Sequence, residues 1–412
     1  MSTLALHPEQ TCAQLAAIAG AENTRLEGGT ITVAPAATAE VSEILRFADQ
    51  NGLTVTPTGA GTKLQWGNAV SPAIVLSLRR MAALREHSWQ DMTCTVEAGC
   101  PWNTLEAVLA EHGQVVALDP LWPERATVGG IAASNDSGAL RLKYGSLRDL
   151  ILGMTIVLPD GTIAKTGGKV VKNVAGYDLH KLMIGSFGTL AVITQVNFRL
   201  HPIERNTRTW TAIAPDPAAL QAPLRALFDS QIVPTSVQIR ARKQACSLDV
   251  RIAARPGCLE EFAPRLQALC GDLPLTESSP VVWDARQQLF NQSHAVVLKI
   301  SVLPGEIATM LAALQEWASF GGIGIETVAQ ATGLITAAVT MAPDAALALI
   351  EPLREQVRTF GGSVVALQMP IEYRGRFDTW GCDSNALDLM REIKRRFDPH
   401  RILNPGRFVG GI

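Results

Sequence analysis

Thr127-Val-Gly-Gly-Ile-Ala-Ala-Ser-Asn-Asp-Ser-Gly138 runs into Arg141-Leu-Lys-Tyr-Gly145, and Ile184-Gly-Ser-Phe-Gly-Thr-Leu190 follows some forty residues later. Both lie in the window Leu121 to Leu190, which holds 11 glycines in 70 residues, about twice the density of the whole chain, where 34 of 412 are glycine. Glycine reaches positive φ without strain and leaves its N–H unshielded, so such a cluster marks turns and places where a ligand lies against main chain. Strand patterns Thr155-Ile-Val-Leu158 and Ala191-Val-Ile-Thr194 flank the densest parts, with an Asp160-Gly161 hairpin turn between them.

Upstream, the spacing of Val41, Ile44, Leu45 and Ala48 predicts a helix over 38–51 with Thr38 as N-cap and Gly52 as its end. Leu53-Thr-Val-Thr56 reads as a strand entering the loop Pro57-Thr-Gly-Ala-Gly-Thr62, and Ala73 to Leu78 as another strand. The N–H groups of a glycine loop after a strand can converge on an anion. Neither common phosphate motif fits. A Rossmann turn needs glycine where Leu64 stands, and a Walker A loop needs Gly-Lys-Ser/Thr where Thr62-Lys63-Leu64 stands. Cys94 to Glu97 reads as strand and Trp102 to His112 as helix. Beyond Pro202 glycine thins, and strands at 210–214, 236–240, 248–253, 296–302, 334–340 and 363–368 alternate with helices at 217–230, 259–270, 305–319 and 344–360. Two successive halves of this kind suggest a duplicated ferredoxin-like sandwich. A last helix, Ala386 to Phe397, stops at Asp398-Pro399 and leads to Ile402-Leu-Asn-Pro-Gly406.

Composition bounds the function. With 47% hydrophobic and 18% charged residues the chain can bury a real core, and Gly and Pro, 57 residues together, are near average usage. A net charge of −2, with no basic block beyond Lys394-Arg395-Arg396, argues against nucleic acid. Seven cysteines, widely spread and without a Cys-x-x-Cys pair, point to reduced thiols in the cytoplasm and to no metal or iron–sulfur site carried by this chain. The N-terminus lacks a secretory pattern, and Leu334 to Ile350, broken by Pro343 and Asp344, is too short to span a bilayer. No integral membrane segment is expected, while peripheral association through partners stays open.

The ordered blocks at 57–62, 127–138, 141–145, 172–179, 184–190 and 402–406 together resemble FAD-linked oxidoreductases of the vanillyl-alcohol oxidase and p-cresol methylhydroxylase type, from about Val33 to the end. Within that superfamily, Gly168-Lys-Val-Val-Lys-Asn-Val-Ala-Gly-Tyr-Asp-Leu179 is similar to the smaller FAD-binding subunits of bacterial glycolate oxidases. The resemblance implies an α+β protein with a two-subdomain FAD-binding domain over 1–204, an α+β cap domain over 205–375, and a C-terminal segment, 376–412, that completes the FAD site in the cleft between them. Pro57, Thr58, Gly59, Ala60, Gly61, Thr62, Thr127, Val128, Gly129 and Gly130 would hold the pyrophosphate through backbone N–H groups. Ser134, Asn135 and Gly138 would lie along the ribityl chain and flavin, Gly185, Gly188 and Ile193 against adenine and flavin, and Asn404 near the isoalloxazine ring.

Departures from the family matter as much. No histidine follows the glycine loop in Lys63-Leu-Gln-Trp-Gly67, so the implied FAD is noncovalent. The cap lacks the His-x-Gly-Asp-Gly-Asn type of stretch found in catalytic relatives; His294 is the single histidine between 202 and 399 and does not match it. Oxidising a 2-hydroxy acid needs a cation for the carboxylate and a base for the hydroxyl proton. Arg141, Lys143 and Tyr144 are the candidates for the cation and a hydroxyl, with Lys169 and Lys172 similarly placed and His180 read as a surface or packing residue. No base stands out. The expected activity is oxidation of glycolate to glyoxylate with electrons passing toward quinone, the expected partners a second FAD subunit and an iron–sulfur subunit. A self-sufficient 2-hydroxy-acid dehydrogenase, for example for D-lactate, and a non-catalytic scaffold remain the alternatives.

Overall fold

Runs of alternating apolar residues build, among the described residues, sheets of four, five and eight strands and a two-stranded ribbon, and helices cover them. The computed structural model describes residues 7–168, 177–242, 245–291, 295–340, 343–370, 373, 375, 377–381 and 385–412. Lys169, Lys172 and most of the 172–179 block, together with His294, lie outside the described residues. The chain forms two compact units, one of Met1–Ser137, Ser146–Ile203 and Cys382–Ile412, the other of Gly138–Gly145 and Glu204–Gly381.

The first unit opens with helix α1 (Pro8–Ala19) and a four-stranded sheet of β1 (Thr24–Glu27), β2 (Thr30–Val33), β3 (Val55–Thr58) and β4 (Ile74–Ser77), in the order β1-β2-β4-β3. Helix α2 (Thr38–Gln50) buries Val41, Ile44, Leu45 and Ala48, as its periodicity predicts. Its N-cap is Ala37 rather than Thr38, and the Glu40 carboxylate accepts the Ala36 N–H at 2.8 Å.

Five antiparallel strands make the second sheet: β5 (Leu84–Ser88), β6 (Thr93–Glu97), β8 (Ile151–Val157), β9 (Ile163–Gly167) and β10 (Val192–Arg199), ordered β5-β6-β10-β8-β9. A short ribbon pairs β7 (Gln114–Val115) with β11 (His201–Pro202). Around this sheet lie α3 (Trp102–Ala110), α4 (Val128–Ser134), α6 (Leu147–Leu150) and α7 (Leu179–Met183). The turn expected at Thr127 to Gly130 is the first turn of α4, because Gly129 fits where any Cβ would lie 2.7 Å from that of Ala98.

Helix α13 (Leu387–Phe397) returns the chain to this unit and seats it through a buried ion pair. The Lys394 ammonium donates to Asp398 Oδ2 at 2.5 Å and to the carbonyls of Thr189 and Leu403 at 2.7 and 2.8 Å. Asp398, wholly buried, also accepts the N–H groups of Ile402 and Leu403 at 3.0 and 2.9 Å.

The second unit is a single eight-stranded antiparallel sheet carrying two βαββαβ halves. The first half is β12 (Thr207–Ala214), α8 (Gln221–Asp229), β13 (Ser236–Arg242), β14 (Ala245–Ala253), α9 (Phe262–Cys270) and β15 (Leu275–Ser278). After the short α10 (Ala285–Gln288), the second half is β16 (Ala295–Ser301), α11 (Ile307–Gly321), β17 (Gly324–Gln330), β18 (Leu334–Thr340), α12 (Pro343–Thr359) and β19 (Ser363–Gln368). The order β15-β12-β14-β13-β17-β18-β16-β19 joins the halves edge to edge, with β13 against β17. Strands β15 and β17 are absent from the sequence reading. One sheet face packs Val237, Ile239, Leu248, Val250 and Ile335 into the core with α8, α9 and α11. The other carries a buried polar cluster in which Asp249 binds Thr211, Gln238 and Arg240.

Helix α5 (Arg141–Tyr144) belongs to this second unit and packs against β13. The Lys143 ammonium pairs with the Glu204 carboxylate, which also accepts the Thr235 hydroxyl at 3.1 Å. Burial works against the charge on Glu204, yet hydrogen bonds from Lys143, Tyr144 and Thr235 hold its carboxyl below the usual range. The Tyr144 hydroxyl is pushed up by burial and by Glu204.

Two stability effects follow. Lys394→Met leaves the Asp398 charge buried without its ammonium and should cost about 3–5 kcal/mol, read as a lower denaturant midpoint. His180, in α7, is buried rather than exposed, and its ring Nδ1 has no hydrogen-bond partner among the described residues. Burial, with Lys181 and Arg148 nearby, lowers its pKa from 6.5 against the opposing pull of Asp178. Below about pH 6.5 the unfolded chain therefore binds a proton that the folded chain does not. Stability should fall as pH drops from there toward the folded value, and His180→Gln should flatten that part of a denaturant midpoint-versus-pH curve.

Candidate functional site: a glycine-walled cleft

The strand β3 delivers Pro57-Thr-Gly-Ala-Gly-Thr62 to the edge of a cleft within the first unit. Arg79 donates to the Gly59 carbonyl at 3.3 Å and the Ala60 carbonyl at 3.1 Å. A trans peptide sets C=O and N–H on opposite sides, so this grip turns the Ala60 and Gly61 amides away from Arg79. Gly61 adopts φ +78°, which a β-branched residue would resist.

The opposite wall comes from α4 and the 187–193 segment: Thr127, Gly129, Gly130, Ala133, Ser134, Phe187, Gly188, Ala191 and Ile193. The walls meet so closely that a Cβ on Gly59 would stand 1.9 Å from Thr127 Oγ1, and one on Gly188 2.9 Å from Pro57 Cγ. Leu64, Leu78 and Ala98 add apolar surface, and Lys63 and Arg407 are the charged members of the lining among the described residues. The cleft, with its solvent mouth, has an empty volume of about 710 Å³.

Of the residues nominated from sequence, Pro57, Thr58, Gly59, Ala60, Gly61, Thr62, Thr127, Gly129, Gly130, Ser134, Gly188 and Ile193 line this one cleft. Backbone bonding refines their roles. The Val128 and Gly129 N–H groups already donate to the carbonyls of Cys100 and Ala98 at 3.0 and 2.7 Å, and Val128 is fully buried, so these two amides serve the protein's own structure. The Thr127 hydroxyl is different: it is buried and has no hydrogen-bond partner among the described residues. Ser134 Oγ turns back to the Gly130 carbonyl at 2.7 Å.

Several nominated residues lie elsewhere. Asn135 caps α4 at φ +50°, and a Cβ on Gly185 would come 3.1 Å from its own Cβ. Asn404 is wholly buried behind the wall: its Nδ2 donates to the Phe187 carbonyl at 2.8 Å and its Oδ1 accepts from Thr56 at 2.7 Å. Gly138, Arg141, Lys143 and Tyr144 belong to the second unit, where Lys143 and Tyr144 are engaged with Glu204. Lys63 and Arg407, each adjoining a motif block, are charged lining residues that the sequence motifs do not single out.

Lys63 is buried with Asp136 at 3.2 Å, and its ammonium stands 5.6 and 5.3 Å from the ring centroids of Trp66 and Trp122. Asp136 also accepts the Leu121 N–H at 2.8 Å, so the pair is satisfied inside the wall. Both tryptophans thus pack around a buried charge. Cys94 and Cys100 are buried thiols pushed up to about 12 and about 11 by desolvation and so neutral near pH 7.

Comparison with known proteins agrees with this geometry. Residues 30–167 match the model of an FAD binding domain, and residues 381–408 match that of the C-terminal domain of FAD linked oxidases. The chain is 26% identical over 414 residues to glycolate oxidase subunit GlcD of Bacillus subtilis, covering 91% of this chain and 88% of that protein. It is 40% identical over 177 residues to a D-lactate dehydrogenase of Archaeoglobus fulgidus, covering 43% of this chain and 40% of that one. A mitochondrial D-lactate dehydrogenase of Arabidopsis thaliana is 35% identical over 179 residues, 43% of this chain and 31% of that one, so the lactate enzymes match over less than half their length.

In fold, 4-ethylphenol oxidase from Gulosibacter chungangensis superposes with a TM-score of 0.73 at 14% identity over 97% of this chain and 96% of that one. An alkyldihydroxyacetonephosphate synthase gives 0.72 at 16% identity over 98% and 87%. The fold is therefore α+β with an FAD-binding domain of the p-cresol methylhydroxylase type.

The residues present fit FAD: bare glycine backbone and a buried hydroxyl with no partner among the described residues, in a mostly apolar cleft, suit a dinucleotide with a diphosphate. Gly59→Val should abolish FAD binding by forcing Thr127 out of place, and Thr127→Val should weaken it about 5–10-fold, both measured by titrating the flavin-free chain. Over residues 30–167 and 381–408 the chain thus carries the FAD-binding and C-terminal domains of the FAD-linked oxidoreductases, with FAD as its cofactor.

Proposed function

We propose that this chain is the FAD-binding subunit of a complex that oxidises a small 2-hydroxy acid, glycolate to glyoxylate, and passes the electrons toward quinone. The observation that carries this reading is the match to glycolate oxidase subunit GlcD across both proteins nearly end to end, where the lactate dehydrogenases match only in part.

Bound FAD would supply the acceptor for the hydride that leaves the hydroxyl-bearing carbon. The chain's own residues hold and shield it. The 57–62 backbone and the Thr127 hydroxyl would bind the diphosphate, while Ala133, Ala191, Ile193 and Leu78 keep water from the cleft wall. Oxidising the acid also requires a base for the hydroxyl proton and a cation for the carboxylate. The lining residues include neither histidine nor carboxylate among those described. Those groups come, in this reading, from outside the cleft wall, with a second FAD subunit and an iron–sulfur subunit as partners. Arg141 stays a candidate for the carboxylate cation, whereas Lys143 and Tyr144 are committed to Glu204.

The 40% identity to a D-lactate dehydrogenase over the FAD-binding region favours one other reading, a self-sufficient 2-hydroxy-acid dehydrogenase. The anaerobic visible spectrum of the chain purified alone separates the two. Flavin bands should persist when glycolate is added and bleach only once the partner subunits are present. Bleaching by D-lactate with the chain alone would establish the second reading, and a colourless protein that takes up no FAD would overturn both.

A further inference from the structure

The parallel ladder of β3 and β4 pairs Thr58 with Ser77, and one further main-chain bond follows it, from the Leu78 N–H to the Thr58 carbonyl at 2.8 Å. There the chain leaving β4 turns, the Met81 N–H bonding back to the Leu78 carbonyl at 2.9 Å, and a side chain continues the bonding that main chain gives up. Arg79 Nε reaches the Gly59 carbonyl and Nη2 the Ala60 carbonyl. The Gly61 carbonyl in turn accepts the Leu64 N–H at 3.2 Å, so the carbonyls of Thr58, Gly59, Ala60 and Gly61 are all engaged.

The N–H groups that run between them are not. Among the described residues, those of Gly59, Ala60, Gly61 and Thr62 donate to no protein group, although all four residues are half-buried and line the cleft. Successive unspent amides on one side of a loop form a site for an anion, and partly buried donors of this kind call for a partner. The Gly59 carbonyl belongs to the same peptide group as the Ala60 N–H, and the Ala60 carbonyl to the same group as the Gly61 N–H, so Arg79 sets the direction of two of the four donors. Glycine on either side of Ala60 makes both peptide groups easy to rotate, and Gly61 already stands at φ +78°. A rotated group would turn a carbonyl oxygen, the wrong end of its dipole, toward an anion.

We propose that Arg79 is a positioning residue for the cofactor: its guanidinium holds the Gly59 and Ala60 carbonyls away from the ligand so that the Ala60 and Gly61 N–H groups converge on the diphosphate of bound FAD. This rests on the reading of the cleft as the FAD site. Arg79 is itself exposed and is not part of the cleft lining, so it acts through the shape of the loop and not by touching the ligand. A loop that keeps the binding conformation for roughly a tenth of the time binds about tenfold more weakly, with no contact to the ligand lost.

The test titrates FAD, and separately ADP, into the flavin-free full chain for the wild type and Arg79→Ala, at low and high salt, and records the thermal midpoint of each unliganded protein. Arg79→Ala should weaken FAD and ADP alike by about 5–30-fold, because both carry the diphosphate, with the unliganded midpoint close to that of the wild type. The ratio of variant to wild-type affinity should hold between about 0.05 and 0.5 M salt, since a fixed peptide orientation is not screened. A loss that disappears at high salt overturns the proposal, making Arg79 a charge that attracts the ligand from a distance. A loss for FAD without one for ADP, or unchanged affinity for both, overturns it as well. So does a loss accompanied by an unliganded midpoint lowered by more than about 5 °C, which would make Arg79 a general support of the fold. Wild-type chain that takes up neither FAD nor ADP overturns the reading of the cleft and the role of Arg79 with it, whereas the other failures leave that reading standing.

Discussion

The flavin-binding unit depends on one buried ion pair. Lys394 and Asp398, one helical turn apart, are both withdrawn from water, and burial alone would disfavour each charge. They are held because each makes further hydrogen bonds: Lys394 to the carbonyls of Thr189 and Leu403, Asp398 to the N–H groups of Ile402 and Leu403. The knot thus joins a segment near residue 400 to the loop at 187–189 and fixes the chain that follows. Ile402 and Asn404 then pair with Val55 in β3, so the strand that presents the glycine loop is braced by residues almost 350 positions away.

What this brace presents is backbone. At Gly59 and Gly188 the two walls of the cleft approach to distances that no side chain survives, and at Gly99 a Cβ would fall 1.8 Å from the Leu78 carbonyl oxygen. The glycines therefore do two jobs: they let the four-stranded and five-stranded subdomains of this unit come together, and they leave main chain bare toward the ligand. The charge in the wall is arranged as strictly. Lys63 is matched by Asp136 and boxed by two indoles, and Arg407 is set on carbonyls at the point where the C-terminal turn meets the glycine loop.

The second unit shows duplication in its connectivity. Each half runs βαββαβ, and each four-stranded sheet has the same internal order, joined through β13 and β17. The sequence pattern suggested this duplication although β15 and β17 went unread. Both are hard to see locally. β15 has no fully buried residue, and β17, Gly324-Ile-Glu-Thr-Val-Ala-Gln330, follows a glycine pair and is buried on both faces over its second half, so it lacks a clean alternation.

What depends on local chemistry is legible in the order of the residues. The glycine spacing, the apolar periodicity of α2 and α13 and the Asn-Pro-Gly turn sufficed for the FAD-linked family resemblance and for most of the cleft lining. Tertiary structure decided which of those residues face the cleft and which support it. Asn404 sits behind the wall because Thr56 and Phe187 take both ends of its amide, and the Val128 and Gly129 amides are spent on Cys100 and Ala98. Residues 141–144 follow the flavin-binding turn in sequence yet fold with the second unit, because Lys143 and Tyr144 find their partner in Glu204, sixty residues on. Arg407 and Lys63 enter the site for the same reason: their position is set by hydrogen bonds to distant carbonyls and carboxylates, which no local pattern encodes.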